Sequence, residues 1–127
     1  MRLISFGQPD SALAEALMAA GFELDVRMIS IPAEERATTA LASALREAES
    51  ALQERPDAAL IVGAGDTELA AALTAVKLDI PTAWVGDQGA ETPLVARVAE
   101  LPLDATSDAA RSAVAIRELT ESRITPA

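Results

Sequence analysis

Residues 56–67 read PDAALIVGAGDT and residues 80–89 read IPTAWVGDQG, and an alanine-rich segment of helical character separates the two stretches. Each stretch contains a short apolar run that ends in a glycine-containing polar turn. Two such runs around one helical segment are typical of a β-α-β unit in which both strands are parallel and buried. In open parallel sheets, ligands bind outside the carboxyl ends of the strands. The sequence therefore predicts that the turns at 63–67 and 86–89 lie at one edge of a sheet, where a binding site is expected.

The other apolar runs extend this unit to five strands. The run Phe22–Ile31 alternates Leu24, Val26 and Met28 with charged residues, which predicts an edge strand with one wet face. By contrast, Ala58–Val62 carries no charge, which predicts a central strand. The five predicted strands are Arg2–Phe6, Phe22–Ile31, Ala58–Val62, Thr82–Val85 and Leu101–Ala105.

Helical segments alternate with these strands. The first is capped by Asp10 or Ser11 and stopped by Gly21, and the second has Pro32 in its first turn. The others begin after Asp66, at about Pro93, and at Thr106-Ser107-Asp108, the last running to about Glu121. The buried positions expected from helical spacing are Leu13, Leu17 and Ala20 in the first helix, Leu41, Leu45, Ala48 and Leu52 in the second, and Leu69, Leu73 and Val76 in the third. We expect one α/β domain over residues 1–127, a Rossmann-like three-layer α/β/α sandwich around a five-stranded parallel sheet.

The composition excludes several kinds of chemistry. The chain has neither cysteine nor histidine. Disulfides, catalysis by a thiolate or an imidazole, and metal sites with cysteine or histidine ligands are therefore excluded. We expect no metal and no cofactor, and proton chemistry falls to carboxylates or to Lys77. Aromatic residues make up only 2% of the chain, so the core must be built from aliphatic side chains.

The net charge of −10 bears on partners and location. Binding to nucleic acid or to an anionic membrane needs a basic surface that this sequence lacks, so we expect neither partner, and the acidity serves solubility. No apolar run reaches the length of a membrane span. Because the chain enters a strand by Leu3, we expect no signal peptide and a cytoplasmic location.

The turn Gly63-Ala64-Gly65-Asp66-Thr67 has two interpretations. Its glycines permit close approach, and a helix start offers free N–H groups to an anion. Alternatively it is a tight turn in which Asp66 or Thr67 caps the helix. It is neither a dinucleotide fingerprint, whose third glycine would fall at Glu68, nor a phosphate-binding P-loop. The same two interpretations apply to Gly86-Asp87-Gln88-Gly89, where the structural one is favoured.

Trp84 and two aspartates complete the candidate site. As the one tryptophan, Trp84 is expected in the core with its indole N–H satisfied locally, and a stacking platform for a base or sugar is the alternative. Asp66 and Asp87 follow two predicted neighbouring strands, where a carboxylate pair would serve general acid–base catalysis.

Several motifs together resemble one enzyme family. PDAALIVGAGDT at 56–67, LAAAL at 69–73 and IPTA at 80–83 are similar to the Pro-Asp strand, Gly-Asp-Thr turn, alanine-rich helix and Ile-Pro strand of the non-hydrolysing UDP-N-acetylglucosamine 2-epimerases. The turn at 7–10 resembles a shortened Gly-Thr-Arg-Pro-Glu turn, and 101–111 resembles a later strand and helix. The likeness spans most of this chain but only the N-terminal half of the family's two-domain, glycosyltransferase-B-type fold. It implies the strand order 2-1-3-4-5, with a crevice between the ends of the first and third strands.

The departures from the family are informative. Where the family has His-Val-Glu-Ala-Gly-Leu-Arg, with a catalytic glutamate, this chain has Trp84 at the histidine and Gly86 at the glutamate. The arginine of the first turn has no counterpart beside Gln8, and the domain that holds most of the UDP is missing. Of the acid–base groups that the resemblance implies, only Asp66 carries over.

Three hypotheses on function follow. The first is an epimerase-like domain without epimerase activity alone, which binds a nucleotide sugar or another anionic, phosphate-bearing small molecule. The second is one subunit of a two-chain sugar-nucleotide enzyme (an isomerase), and the third is a structural or protein-interaction domain without a ligand. We expect a homodimer or pairing with a separate chain, because half of a two-domain fold leaves a surface uncovered. Asp66 is the candidate catalytic residue, and the candidate ligand-binding residues are Gly7, Gln8, Gly63, Gly65, Asp66, Thr67, Gly86, Asp87 and Gln88.

Overall fold

Strands and helices alternate along the chain in the computed structural model, which describes residues 1–30, 36–87 and 93–124. The strands are β1 (Arg2–Phe6), β2 (Glu23–Arg27), β3 (Ala58–Val62), β4 (Thr82–Gly86) and β5 (Leu101–Asp104). The helices are α1 (Ser11–Ala19), α2 (Ala37–Leu52), α3 (Asp66–Lys77), α4 (Leu94–Val98) and α5 (Ala109–Ile124). The predicted alternation of five strands and five helices is confirmed.

The strands form one parallel sheet in the order β2-β1-β3-β4-β5, as predicted. The uncharged strand β3 is central, and the amphipathic strand β2 lies at one edge. In the register of β3 and β4, Ile61 lies beside Trp84 and Val62 beside Val85. All strand ends that carry polar turns therefore lie at one edge of the sheet.

The sheet has a hydrophobic core on each face. On one face Ile4, Phe6, Ile61 and Trp84 pack with residues of α2, α3 and α4. On the other face Leu3, Leu60 and Val85 pack with residues of α1 and α5. Alternate residues of β1, β3 and β4 supply the two cores, since successive side chains of a strand point to opposite faces. This arrangement is the predicted three-layer sandwich.

Helix α3 contacts its surroundings through small side chains. Its buried residues are Ala70, Ala71, Ala72, Thr74 and Ala75. The prediction that Leu69, Leu73 and Val76 form the buried face was wrong: the leucines are half-buried and Val76 is exposed. The alanines allow α3 to lie close to the sheet and to α2, and the longer side chains then flank the contact. Helix α2 shows the same feature, since Ala44, Ala48 and Leu52 are its buried residues while Leu41 and Leu45 are half-buried.

The edge strand is shorter than predicted. β2 ends at Arg27 rather than Ile31, so Met28 lies beyond the strand and is 73% exposed, not buried as its alternation suggested. Helix α2 is observed from Ala37, while its predicted start at Pro32 lies outside the described residues. The chain therefore leaves the strand at Met28, earlier than the apolar pattern indicates.

The termini of α1 and α5 follow the predicted capping. The Asp10 carboxylate accepts a hydrogen bond from the Leu13 N–H at 2.7 Å, and Asp108 accepts one from the Arg111 N–H at 3.1 Å. Gly21, which follows α1, has a φ of 98°, a conformation that favours glycine at the end of a helix.

The alanine contact of α3 gives a first prediction. Ala71→Leu and Ala75→Leu should each lower the free energy of unfolding by about 1–3 kcal/mol, because both positions are completely buried and added methylenes overpack the contact. The same change at Ala42, an exposed residue within α2, should alter stability by less than about 0.5 kcal/mol. Urea denaturation of the three variants measures the difference, and equal losses at all three positions would contradict the close contact.

Candidate functional site

The predicted site residues follow three neighbouring strands. Gly7 follows β1, the turn 63–65 follows β3, and Asp87 follows β4, so the described candidates lie at the carboxyl edge of the sheet. Gln88 lies outside the described residues. Ligands of open α/β sheets bind at this edge.

Gly7 and Gly63 are required by the backbone. Both have positive φ, 103° for Gly7 and 104° for Gly63, which favours glycine. A Cβ on Gly7 would lie 2.9 Å from the Val62 carbonyl oxygen. Their N–H groups are already engaged, Gly7 with the Arg27 carbonyl and Gly63 with the Val85 carbonyl, each at 3.2 Å. The N–H groups of these two glycines therefore continue the hydrogen bonding between strands just beyond β1 and β3, and neither is free to bind a ligand.

The side chain of Glu68, a residue in the first turn of α3, reaches back to the turn that precedes the helix. Its carboxylate accepts a hydrogen bond from the Gly65 N–H at 3.0 Å and one from the Thr67 hydroxyl at 2.7 Å. A Cβ on Gly65 would lie 2.7 Å from the same carboxylate. This role of Glu68 was not predicted, because the capping-box pattern combines Ser or Thr at the N-cap with Glu three residues later and the N-cap here is Gly65.

Asp66 does not cap the helix. The N-cap residue of α3 is Gly65, so the interpretation of Asp66 or Thr67 as the cap was wrong. Asp66 is the first residue of α3 and is exposed, and its carboxylate makes no hydrogen bond or ion pair with the residues that the structure describes. Asp87 is likewise exposed.

Trp84 lies in the core, as expected. It is completely buried, and its indole N–H donates a hydrogen bond to the Gly63 carbonyl at 2.7 Å. Gly86 lies two residues further along the same strand, and a Cβ there would be only 2.4 Å from the Trp84 ring carbon Cζ2. The indole therefore covers the position of any side chain at residue 86 and joins β4 to the turn after β3.

Two adjoining cavities form what we call the edge groove. One, of about 40 Å³, is lined by Gly7, Thr67 and Glu68 and by four residues shared with the other cavity. The other, of about 370 Å³, continues along α2. The shared residues are Phe6, Arg27, Met28 and Ile29, and the residues from α2 and its C-terminal end are Glu47, Ser50, Ala51 and Glu54. Arg27, Met28 and Ile29 were not predicted as site residues, because the apolar pattern extends the strand to Ile31 whereas β2 ends at Arg27.

Arg27 and Glu54 at the edge groove form ion pairs. The Arg27 guanidinium contacts Asp25 at 2.7 Å and Glu54 at 2.8 Å, and Arg2 contacts Glu54 at 3.2 Å. The hydrogen bond from Arg27 lowers the pKa of the Asp25 carboxyl, with smaller contributions from the charges of Arg27 and Arg2. The same hydrogen bond raises the pKa of Arg27, so both groups are ionised at neutral pH. Glu47 accepts a hydrogen bond from the Ser30 N–H at 3.1 Å.

The described residues contain neither a metal cluster nor a membrane span. Within 1–30, 36–87 and 93–124, no three acidic side chains are grouped so that they could hold a metal ion. In the same part of the chain, every helix is too short or too polar to cross a bilayer.

The fold is similar to that of solved UDP-N-acetylglucosamine 2-epimerases. The enzyme from Methanocaldococcus jannaschii is 19% identical over 93% of this chain, with a TM-score of 0.60. The enzyme from Neisseria meningitidis, solved with bound UDP-GlcNAc, is 14% identical over 99% of this chain, also with a TM-score of 0.60. MnaA from S. aureus, solved with UDP, is 22% identical over 96% of this chain, with a TM-score of 0.59.

The likeness covers part of those enzymes. This chain spans 41% to 44% of the length of the three structures, the share expected of one domain of a two-domain protein. No protein-family model matches the sequence, and neither does any curated protein. The comparison therefore supports the predicted resemblance at the level of the fold.

The contact of Trp84 with Gly86 gives a second prediction. Gly86→Ala should lower the free energy of unfolding by about 1–3 kcal/mol, because the new Cβ displaces the indole. In a Trp84→Leu background the same substitution should cost less, with a coupling energy of about 0.5–3 kcal/mol. Gly21→Ala, whose Cβ meets nothing within 4 Å, is the control and should cost the same in both backgrounds. Additive costs for Gly86→Ala and Trp84→Leu would contradict the contact.

A third prediction separates the two acidic residues at the start of α3. Glu68→Ala should lower the free energy of unfolding by about 1 kcal/mol, because the Gly65 N–H and the Thr67 hydroxyl lose their acceptor. Asp66→Ala removes only a favourable interaction with the helix dipole and should cost about 0.3–0.5 kcal/mol. Chemical denaturation of both variants measures the order, and a larger loss for Asp66→Ala would contradict it.

Proposed function

We propose that residues 1–127 form a single Rossmann-like domain of the UDP-N-acetylglucosamine 2-epimerase type, which binds a nucleotide sugar and has no epimerase activity alone. The observation that carries the proposal is the edge groove, an open concave surface at the carboxyl edge of the sheet. The fold similarity to enzymes solved with UDP and with UDP-GlcNAc supports this choice of ligand.

The contacts of Trp84 are the argument against catalysis by this chain alone. Epimerisation requires a base that removes a proton from the sugar and groups that assist the loss and return of UDP. The resemblance implies a histidine at residue 84 and a glutamate at residue 86. The buried indole of Trp84 and the glycine that it covers provide neither group. Asp66 is then the only implied acid–base group, and one exposed carboxylate, which is not among the residues that line the edge groove, does not complete the reaction.

The charges of the edge groove favour the sugar portion of the ligand over a phosphate alone. Glu47 and Glu54 line the groove together with Arg27. Carboxylates accept hydrogen bonds from sugar hydroxyls but repel free phosphate, and the Arg27 guanidinium, which is paired with Asp25 and Glu54, would bind a phosphate of the ligand only in exchange for one of these carboxylates. The side chains of Met28 and Ile29 add apolar contact area for a ring. A nucleotide sugar has hydroxyls, a ring and phosphates, which match the carboxylates, the apolar side chains and the guanidinium respectively. Inorganic phosphate matches only the guanidinium.

The turn 63–67 contributes less to this binding than the sequence suggests. An anion at the start of α3 would compete with the Glu68 carboxylate for the Gly65 N–H. Ligand contacts by Gly63, Gly65 and Thr67 therefore require that Glu68 first move aside. We accordingly place the main ligand contacts at the residues shared by the two cavities of the edge groove.

A second candidate is a subunit of a two-chain enzyme. The observation that favours it is the length of the chain, which spans 41% to 44% of the solved enzymes that it resembles. In this case Asp66, which is exposed and without an ion-pair partner among the described residues, would act as one of the acid–base groups facing the second chain. The two candidates differ in one measurable property, because only the first expects the isolated chain to bind a nucleotide sugar.

A matched pair of methionine variants tests the proposal. UDP-GlcNAc at about 100 times its Kd should stabilise the wild-type chain by roughly 2.7 kcal/mol, seen as a rise in Tm. Met28→Glu, on the wall of the groove, should abolish this rise because it adds a negative charge beside the ligand. Met18→Glu makes the same change on α1, at a residue that is also exposed, and should leave the rise intact.

Further ligands and an activity assay separate the alternatives. UDP should give a smaller rise in Tm than UDP-GlcNAc, and phosphate none. NMR of UDP-GlcNAc incubated with the chain should show no formation of the 2-epimer. Epimerisation by the isolated chain would overturn the proposal, and so would the absence of any stabilisation by UDP-GlcNAc. An equal response of the two methionine variants would overturn the location in the edge groove.

A further inference from the structure

The larger cavity of the edge groove is surrounded by more negative than positive charge. Its volume of about 370 Å³ lies within the range of roughly 300–1,000 Å³ that is usual for small-molecule sites. The charged side chains at its wall, together with their ion-pair partners, are the carboxylates Asp25, Glu47 and Glu54 and the guanidiniums of Arg2 and Arg27. In the part of the chain that the structure describes, one carboxylate at this wall is therefore left without a cation.

The carboxylate without a cation belongs to Glu47, on the exposed side of α2. Its Oε2 accepts a hydrogen bond from the Ser30 N–H at 3.1 Å, and its Oε1 has no partner among the described residues. Ser50 lies three residues further along α2, so it is on the same face of the helix, and it lines the same cavity. The Ser50 hydroxyl is also without a partner in the described ranges. The wall thus offers two neighbouring acceptors to a ligand.

A ligand that covers Glu47 displaces water from an unpaired carboxylate. Removing a charge from water is unfavourable unless the ligand supplies hydrogen bonds and an opposite charge. A sugar hydroxyl supplies one donor and no charge. An ammonium group supplies a positive charge and three donors, enough for both Glu47 and Ser50. Because hydrogen bonds between ionised groups are roughly twice as strong as those between neutral groups, this wall favours a cationic substituent.

Binding of a phosphate at Arg27 increases the need for that cation. Both nearby carboxylates already contact the Arg27 guanidinium, Asp25 at 2.7 Å and Glu54 at 2.8 Å. A phosphate that replaces one of them leaves a second negative charge uncompensated beside the sugar. A ligand that carries both a phosphate and an ammonium group therefore matches the groove better than one that carries a phosphate alone.

We propose that the edge groove is selective for nucleotide sugars whose sugar carries a free amino group, and that Glu47 determines this selectivity. The inference rests on the function proposed above, because it names the sugar substituent for the same groove and the same class of ligand. An N-acetyl group in this position is neutral and retains a single N–H donor. Among ligands with the same UDP portion, UDP-glucosamine therefore fits Glu47 better than UDP-GlcNAc or UDP-glucose does.

Isothermal titration calorimetry of the full chain with these three ligands tests the selectivity. UDP-glucosamine and UDP-glucose differ only in the ammonium or hydroxyl group on one carbon, so the ratio of their Kd values reports the effect of the charge. At about pH 6, where the amine is protonated, UDP-glucosamine should bind about tenfold more tightly than UDP-glucose. It should also bind more tightly than UDP-GlcNAc.

Two matched variants on α2 locate the selectivity. Glu47→Gln keeps an oxygen that can accept the Ser30 N–H but removes the charge, so the preference for UDP-glucosamine over UDP-glucose should disappear. Glu49→Gln makes the same change at an exposed residue that lines neither cavity of the edge groove, and it should leave the preference intact. Both variants change the net charge by the same amount, so a preference due only to the acidity of the whole protein would fall equally in both. Circular dichroism checks that both variants fold.

The possible results separate this inference from the function on which it rests. Equal Kd values for UDP-glucosamine and UDP-glucose, or tighter binding of UDP-GlcNAc than of UDP-glucosamine, overturn the inference and leave nucleotide-sugar binding in place. A preference that persists in Glu47→Gln, or that Glu49→Gln removes as completely, overturns the role of Glu47. Failure of all three ligands to bind overturns both the inference and the proposed function.

Discussion

The hydrogen bond from the Trp84 indole to the Gly63 carbonyl is the constraint on which the carboxyl edge of this sheet depends. It joins a residue of β4 to the turn that follows β3, so it fixes the relative position of two neighbouring strand ends. Because the indole is completely buried, its N–H needs a protein acceptor, and the turn at 63 provides one. The ring in turn requires glycine at residue 86. One aromatic side chain therefore holds the turn after β3 in place and restricts residue 86 to glycine.

At the same edge of the sheet, acidic side chains bind the N–H, hydroxyl and guanidinium groups that an anionic ligand could otherwise bind. Glu68 binds the donors at the start of α3, and Asp25 and Glu54 bind Arg27. These internal pairs satisfy charges and polar groups that would otherwise be open to an anion. What remains accessible is the groove between β2, α2 and α3, with a mixture of apolar, carboxylate and guanidinium groups. The edge groove therefore differs from a glycine-rich phosphate site, in which free backbone N–H groups bind the anion.

The fold could be predicted from the sequence because local pattern and global topology agree. The uncharged run Ala58–Val62 became the central strand and the amphipathic run near Glu23–Arg27 became the edge. The errors in the predicted buried residues arose where side-chain size, rather than hydropathy, determines which residues of a helix contact the neighbouring helix and the sheet. Val76 is more apolar than Ala75, yet α3 buries the alanine because a small residue permits close approach. The site was harder to predict, since the role of Glu68 depends on a turn geometry and the groove residues Arg27 and Met28 on where β2 ends.

Trp84 also gives the protein a built-in optical probe. The chain has one tryptophan and no tyrosine, so excitation near 295 nm reports a single fluorophore. That fluorophore is shielded from water, and its N–H is bonded to the turn that precedes α3. An emission spectrum of the unlabelled chain therefore describes the polarity of one place in the molecule. Any rearrangement of the turn at 63–67 would change the wavelength and lifetime of that emission without a contribution from the rest of the protein.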